Sequence, residues 1–273
     1  MNIGIFDSGL GGLVIAKSIK KLLPEYNYVY LGDTKRVPYG NRSHQTVYEF
    51  TCEALRYLFE KENCKIVIIA CNTASARALR KVQQEFLLQF FPDRKVLGVL
   101  IPTAEEVVNY KKVGILATRG TVGSQTFLNE IHKLNPLVEV FENPAPLLVP
   151  IIEEGETKLA KPFLEKYLKP LLMKKIDALI LGCTHYPILK KEILALCSLG
   201  VRGKKSNKNI KISSQDEIIP KKLKNYLARH TEIKLEKKSK VKILFTDITP
   251  TVEELSRKWF GKDTKINLVK IDN

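Results

Sequence analysis

Short apolar runs alternate along the chain with longer segments in which apolar residues recur three and four positions apart. NIGIF (2–6), YVYLG (28–32), KIVIIA (65–70), KVLGVL (95–100), VGILA (113–117), VEVFE (138–142) and DALILG (177–182) are nearly continuous in apolar character. Runs of that length and kind predict strands buried on both faces. Between them, GLVIAKSIKKLLP, QTVYEFTCEALRYLFEKE and TASARALRKVQQEFLLQFF carry the spacing of helices with one apolar face. Later, DEIIPKKLKNYLARH and TVEELSRKWF predict helices, and VKILF and KINLVK predict strands. Strand–helix alternation of this type predicts an α/β fold, with mainly parallel sheets covered by helices.

The strands also repeat. IGIF at 3 matches VGIL at 113, and VYLGD at 29 falls opposite EVFEN at 139, both at an offset of 110; VIIACNT at 67 matches LILGCTH at 179 at an offset of 112. Order and near-constant offset together predict two similar α/β units. The first spans 1–96 and is completed by 207–273; the second spans 97–206. Ligands in such folds bind beyond the carboxyl ends of the strands, so two facing units bring Cys71 and Cys183 to one cleft, one from each side.

Composition narrows the class. The chain has 273 residues, 44% hydrophobic and 27% charged, as expected of a globular protein with a sizeable core. No apolar stretch reaches the roughly 18 residues of a membrane helix, and MNIGIFDSG lacks the basic leader and apolar core of a secretory signal. Five cysteines, Cys52, Cys64, Cys71, Cys183 and Cys197, are odd in number, widely spaced and without a CxxC pair, which points to a reducing, cytoplasmic location. The net charge is +16, and Arg202 to Lys242 holds 14 Lys and Arg against 4 Asp and Glu. Such a stretch can bind phosphates. It is dominated by lysine and has Tyr226 as its single aromatic, so a solvated surface is preferred over a nucleic-acid site.

Cysteine is commonly a small buried hydrophobe, and Cys52, Cys64 and Cys197 are read so. Cys71 and Cys183 differ. Each ends a predicted strand and precedes polar residues at a predicted helix start, Asn72 and Thr73 in one case and Thr184 and His185 in the other. Free N–H groups there stabilise a thiolate or bind a carboxylate. On spacing alone, burial and a functional pair are both open. A disulfide suits the compartment poorly, and a metal needs more ligands than the neighbouring His185. The third option is acid–base chemistry, a thiolate on one face of a carbon and a thiol on the other, which removes a proton and returns one with inversion. FDSGLGGL (6–13) adds Asp7, Ser8 and three glycines at a strand end, consistent with an anion-binding turn and equally with a capped helix; it matches neither nucleotide-binding glycine motif.

FDSGLGG (6–12), GDTKRVPYG (32–40), ACNTAS (70–75), VPIIEEG (149–155) and GCTHYP (182–187), taken in order, resemble the cofactor-independent aspartate/glutamate racemase superfamily, in its glutamate branch. The resemblance covers the chain to about residue 190 and is looser beyond. It implies Cys71 and Cys183 as the two acid–base residues acting on the glutamate α-proton, assisted by Asp7 and His185. It implies Ser8, Tyr39, Gly40, Asn72, Thr73 and Thr184 as substrate-binding residues, with Glu153 near the substrate ammonium. Thr118 and Thr121, in ATRGT, are supporting residues in a loop where Ala117 replaces the family glycine. No cofactor or metal is implied. A homodimer is, together with a supply of D-glutamate for bacterial peptidoglycan. Nothing carries over onto SSQDE (213–217).

Single positions keep plainer alternatives. Tyr39 can pack a turn, His185 can cap a helix, and Trp259 reads as core. Two other activities also compete: racemisation of aspartate or another amino acid, and a non-catalytic binding protein that uses the basic C-terminal section, recognised by salt-dependent binding.

Overall fold

The computed structural model describes residues 1–199 and 209–271. Among these residues ten strands form two sheets. Five lie in the first 120 residues: β1 (Asn2–Asp7), β2 (Tyr28–Gly32), β3 (Cys64–Ile69), β4 (Lys95–Gly98) and β5 (Lys112–Ala117). They are followed by β6 (Glu139–Pro144), β7 (Ala178–Gly182), β8 (Lys211–Ser213), β9 (Val241–Phe245) and β10 (Ile266–Leu268). One sheet has the order β10-β9-β2-β1-β3-β4 and the other β6-β5-β7-β8. Every pairing among the described residues is parallel, so the fold is α/β, as expected from the alternation.

Side chains on a strand alternate between faces, and the core divides accordingly. Ile3, Ile5, Tyr30, Ile66 and Ile68 share one face of the larger sheet, in a core that continues into the second unit through Leu100, Ala104 and Ile115. Phe6, Leu31, Val67 and Ile69 occupy the other face, against Val47, Leu55 and Leu58 of the helix His44–Glu60. That helix starts where expected because Ser43 accepts the Thr46 N–H at 3.1 Å, satisfying a free donor of the first turn. The helix Gln215–Arg229 packs on both Gly12–Leu22 and Leu100–Glu105; Lys222 reaches Glu105 at 2.8 Å and Glu106 at 3.1 Å. Among the described residues no helix is long and apolar enough to cross a membrane.

The duplicated pattern corresponds to a duplicated strand order. β2-β1-β3 in one sheet repeats as β6-β5-β7 in the other, the same pairs that the offsets matched. The details differ at three places. KVLGVL is a strand only to Gly98, and Leu100 already opens a helix. The segment after Cys71 is broken into Asn72–Arg77, Leu79–Lys81, a π-helical turn Val82–Phe86 and Leu87–Phe90 instead of one helix. And β8 pairs with β7, so Lys211–Ser213 extends the second sheet, although everything after 206 was expected in the first unit; among the described residues after 206, β9 and β10 alone join the first sheet. The expected boundary at 206/207 itself, and the start of the lysine-rich section, lie outside the described residues.

Candidate active site

Because the central strands are parallel, their carboxyl ends gather on one side of each sheet. Asp7 ends β1, Cys71 follows β3, Thr118 follows β5 and Cys183 follows β7. These ends border a cleft of about 290 Å³. Ser8, Tyr39, Gly40, Cys71, Asn72 and Thr73 line it from the first unit, and Thr118, Glu153, Cys183, Thr184 and His185 from the second. Asp7 and Thr121, 1% and 0% exposed, stand behind the wall. The two cysteines are 5% and 6% exposed, so each thiol is nearly desolvated yet reaches the cavity.

On the first side, Cys71 caps the short helix Asn72–Arg77, and its Sγ accepts the Ala74 N–H at 3.4 Å. Ser8 Oγ lies 3.2 Å from the same sulfur. Burial pushes the Cys71 thiol up to about 12, Asp7 adds to the push, and the hydrogen bonds from Ser8 and Ala74 oppose it. Asp7 accepts the Gly9 N–H at 2.9 Å through Oδ1, while its buried Oδ2 has no hydrogen-bond partner among the described residues. Burial raises the Asp7 carboxyl above its ordinary range, against the pull of the His185 charge and the Gly9 N–H.

On the second side, His185 Nδ1 lies 3.7 Å from Cys183 Sγ and 3.5 Å from Thr184 Oγ1, and Nε2 is 2.9 Å from Glu153 Oε1. Burial by itself disfavours the imidazolium. Hydrogen bonds to Cys183 and Glu153 and their charges outweigh it, holding His185 well above its ordinary value. Trp259 packs edge-on against the imidazole with ring centroids 5.8 Å apart. It is core, as its helical position suggested, and it also borders the imidazole of His185.

The halves touch closely beneath the cleft. A Cβ on Gly11 would fall 2.4 Å from Thr184 Oγ1 and 2.5 Å from His185 Nδ1, so glycine there permits the approach of the two units. Thr73 and Thr118 hydroxyls are 3.1 Å apart across the interface, and Thr118 is in turn 3.1 Å from Thr121. The side-chain amides of Asn72 and Gln215 exchange two hydrogen bonds of 2.7 Å.

Tyr39 differs from a simple ligand-binding tyrosine. Its hydroxyl donates to the buried Asp33, which also accepts from Thr246 Oγ1 at 2.8 Å and Arg36 Nε at 2.6 Å. The phenol therefore braces the 33–40 loop, and its hydroxyl proton is committed. Arg119, the only Lys or Arg among the described residues that lines the cleft, was not singled out from the sequence, nor was Gln215. The other cysteines behave as small hydrophobes: Cys64 and Cys197 are buried and Cys52 half-buried, and burial raises Cys52 and Cys197 to about 11. Among the described residues no group of three or more His, Cys, Asp or Glu is arranged to hold a metal ion.

Comparison with known proteins gives a consistent result. A family model described as Asp/Glu/Hydantoin racemase matches residues 14–202. A glutamate racemase of Sulfurihydrogenibium sp. (strain YO3AOP1) is 37% identical over 98% of this chain and 98% of its own length. The crystal structure of glutamate racemase from Francisella tularensis in complex with D-glutamate superposes with a TM-score of 0.86 at 33% identity, covering 99% of this chain and 98% of that one. The glutamate racemase structure from Aquifex pyrophilus, at 35% identity, gives a TM-score of 0.77 over 98% of each chain.

Proposed function

This chain belongs to the Asp/Glu/Hydantoin racemase family, and from that premise we propose that it interconverts L- and D-glutamate with Cys71 and Cys183 as the two acid–base groups. The observation that carries the proposal is the pair of nearly desolvated thiols entering one cavity from opposite units, each beside its own titratable neighbour. The substrate is supported by the relatives, one of them bound to D-glutamate.

In the proposed reaction one cysteine, as thiolate, takes the α-proton of one enantiomer, and the electron pair left on Cα moves toward the carboxylate. The opposite cysteine, as thiol, delivers its proton to the other face, and the configuration inverts. The reverse direction exchanges the duties. The difficult step is making the carbanion. Preorganised donors around the substrate carboxylate stabilise the charge as it develops, and exclusion of water strengthens them. Ser8, Thr73 and Thr184 border the cavity with such groups, Asn72 brings an amide that binds the carboxylate equally before and during proton transfer, Arg119 offers a guanidinium, and Glu153 an anion for the substrate ammonium. We further propose that the product D-glutamate serves bacterial peptidoglycan and that the enzyme works as a homodimer in the cytoplasm, without a cofactor, as the family resemblance implies.

The test is NMR of L- and, separately, D-glutamate with purified, reduced protein in heavy water and no added cofactor. Loss of the α-proton signal from both enantiomers with decay of optical rotation is the expected outcome. No exchange from either enantiomer by a folded sample would overturn the assignment, and aspartate would be examined next.

A further inference from the structure

Gln215 is the first residue of the helix Gln215–Arg229, which follows β8 at the carboxyl end of the second sheet. It is 0% exposed and does not line the cleft. Its amide nitrogen donates to Asn72 Oδ1 and its amide oxygen accepts from Asn72 Nδ2, both at 2.7 Å. Asn72 is 2% exposed, lines the cleft and directly follows Cys71.

An asparagine side chain has two N–H donors and an oxygen with two lone pairs. The reciprocal pair uses one of each. It leaves Asn72 one N–H and one lone pair and fixes the plane of the amide, because rotation of either amide breaks both bonds. A buried amide with neither partner costs free energy, so the pair also holds Asn72 and Gln215 together across the two sheets.

We propose that Gln215 is the positioning residue for Asn72: it holds the amide so that its remaining N–H faces the substrate carboxylate, and it links the start of the Cys71 helix to the second unit. The proposal rests on the racemase function above. It assigns Gln215 no contact with substrate, so its loss acts through binding and geometry, not through the proton transfers themselves.

The experiment compares Gln215→Leu and Gln215→Glu with wild type, measuring kcat and KM for both enantiomers from about pH 6 to about pH 9, with thermal melts on the same samples. For Gln215→Leu, KM rises about tenfold for both L- and D-glutamate while kcat stays within about threefold. KM within about twofold of wild type for both enantiomers overturns the proposal. Gln215→Glu supplies an independent readout if the leucine variant does not fold. A protonated carboxyl donates and accepts like the amide, whereas the carboxylate only accepts, and burial raises its pKa. The ratio of variant to wild-type kcat/KM therefore rises as pH falls. A ratio that stays flat across the range, in a folded variant, also overturns the proposal, since a packing role alone has no reason to follow that titration. If wild-type protein racemises neither glutamate nor aspartate, the enzyme assignment fails and this inference falls with it. Racemising wild type with unaffected variants refutes only the role of Gln215.

Discussion

Cys71 and Cys183 occupy matching places in a duplicated frame, yet their surroundings are not duplicates. Each follows the strand paired to one side of its sheet's central β1 or β5. Beside Cys71, β1 ends in Asp7 and is followed by Ser8; at the matching position beside Cys183, β5 ends in Ala117 and is followed by Thr118. Two residues beyond Cys71 stands Thr73, and two beyond Cys183 stands His185. One thiol therefore sits near a buried carboxyl that pushes its pKa higher, and the other near a histidine that Cys183 and Glu153 hold well above its ordinary value. In the proposed reaction a repeated backbone supplies two opposed bases, and a few unlike side chains decide how each manages its proton. A reaction that must run in both directions at one pH tolerates that inequality as long as both protonation states remain within reach.

The strongest way to break the comparison is to remove one sulfur at a time. Cys71→Ser and Cys183→Ser should each lower kcat for racemisation by about 10² to 10⁴. In heavy water, the surviving thiol should still wash out the α-proton from one enantiomer, and the favoured enantiomer should be opposite in the two variants. Near-normal turnover in either variant, or the same preference in both, would mean that the thiols do not face opposite sides of the carbon.

A smaller effect tests the neighbour of Cys71 alone. Asp7→Asn removes a charge that raises the Cys71 thiol, so half-maximal alkylation of Cys71 by iodoacetamide should move to lower pH. The accompanying loss of kcat should be about tenfold. An unmoved Cys71 profile would show that the buried carboxyl does not act on the sulfur.

Much of this arrangement is legible in the sequence, because strands buried on both faces leave continuous apolar runs and their ends are marked by Cys71 and Cys183. The offsets of 110 and 112 correspond to the shared strand order. What is missing has physical reasons. β8 is three residues long, too short to display an alternation. Gln215 lies 143 positions from Asn72, and an amide pair between distant segments leaves no local period. Trp259 announces burial through its helical spacing, which is silent about the imidazole it meets. Tyr39 sits in a recognisable motif, but only the fold shows its hydroxyl directed to Asp33.

The least drastic change sharpens the other half. Glu153 is partly exposed, with 30% of its side chain accessible, against 7% for His185, so Glu153→Gln keeps the shape and removes the charge. His185 is held above its ordinary value in the folded protein, against the cost of burial, by Cys183 and Glu153. A group raised in this way contributes stability that is fully present below its unfolded pKa, about 6.5, and is lost as pH rises through the folded value. Wild-type Tm should therefore decline as pH rises above about 6.5. In Glu153→Gln the folded value drops, so Tm at pH 6 should be lower, equivalent to roughly 1–2 kcal/mol, and the decline with pH shallower. Turnover should fall only about threefold to tenfold, because Cys183 keeps its histidine. Parallel Tm curves would mean that Glu153 does not sustain the imidazolium, and the contrast between the two thiols would then reduce to Asp7 and His185 alone.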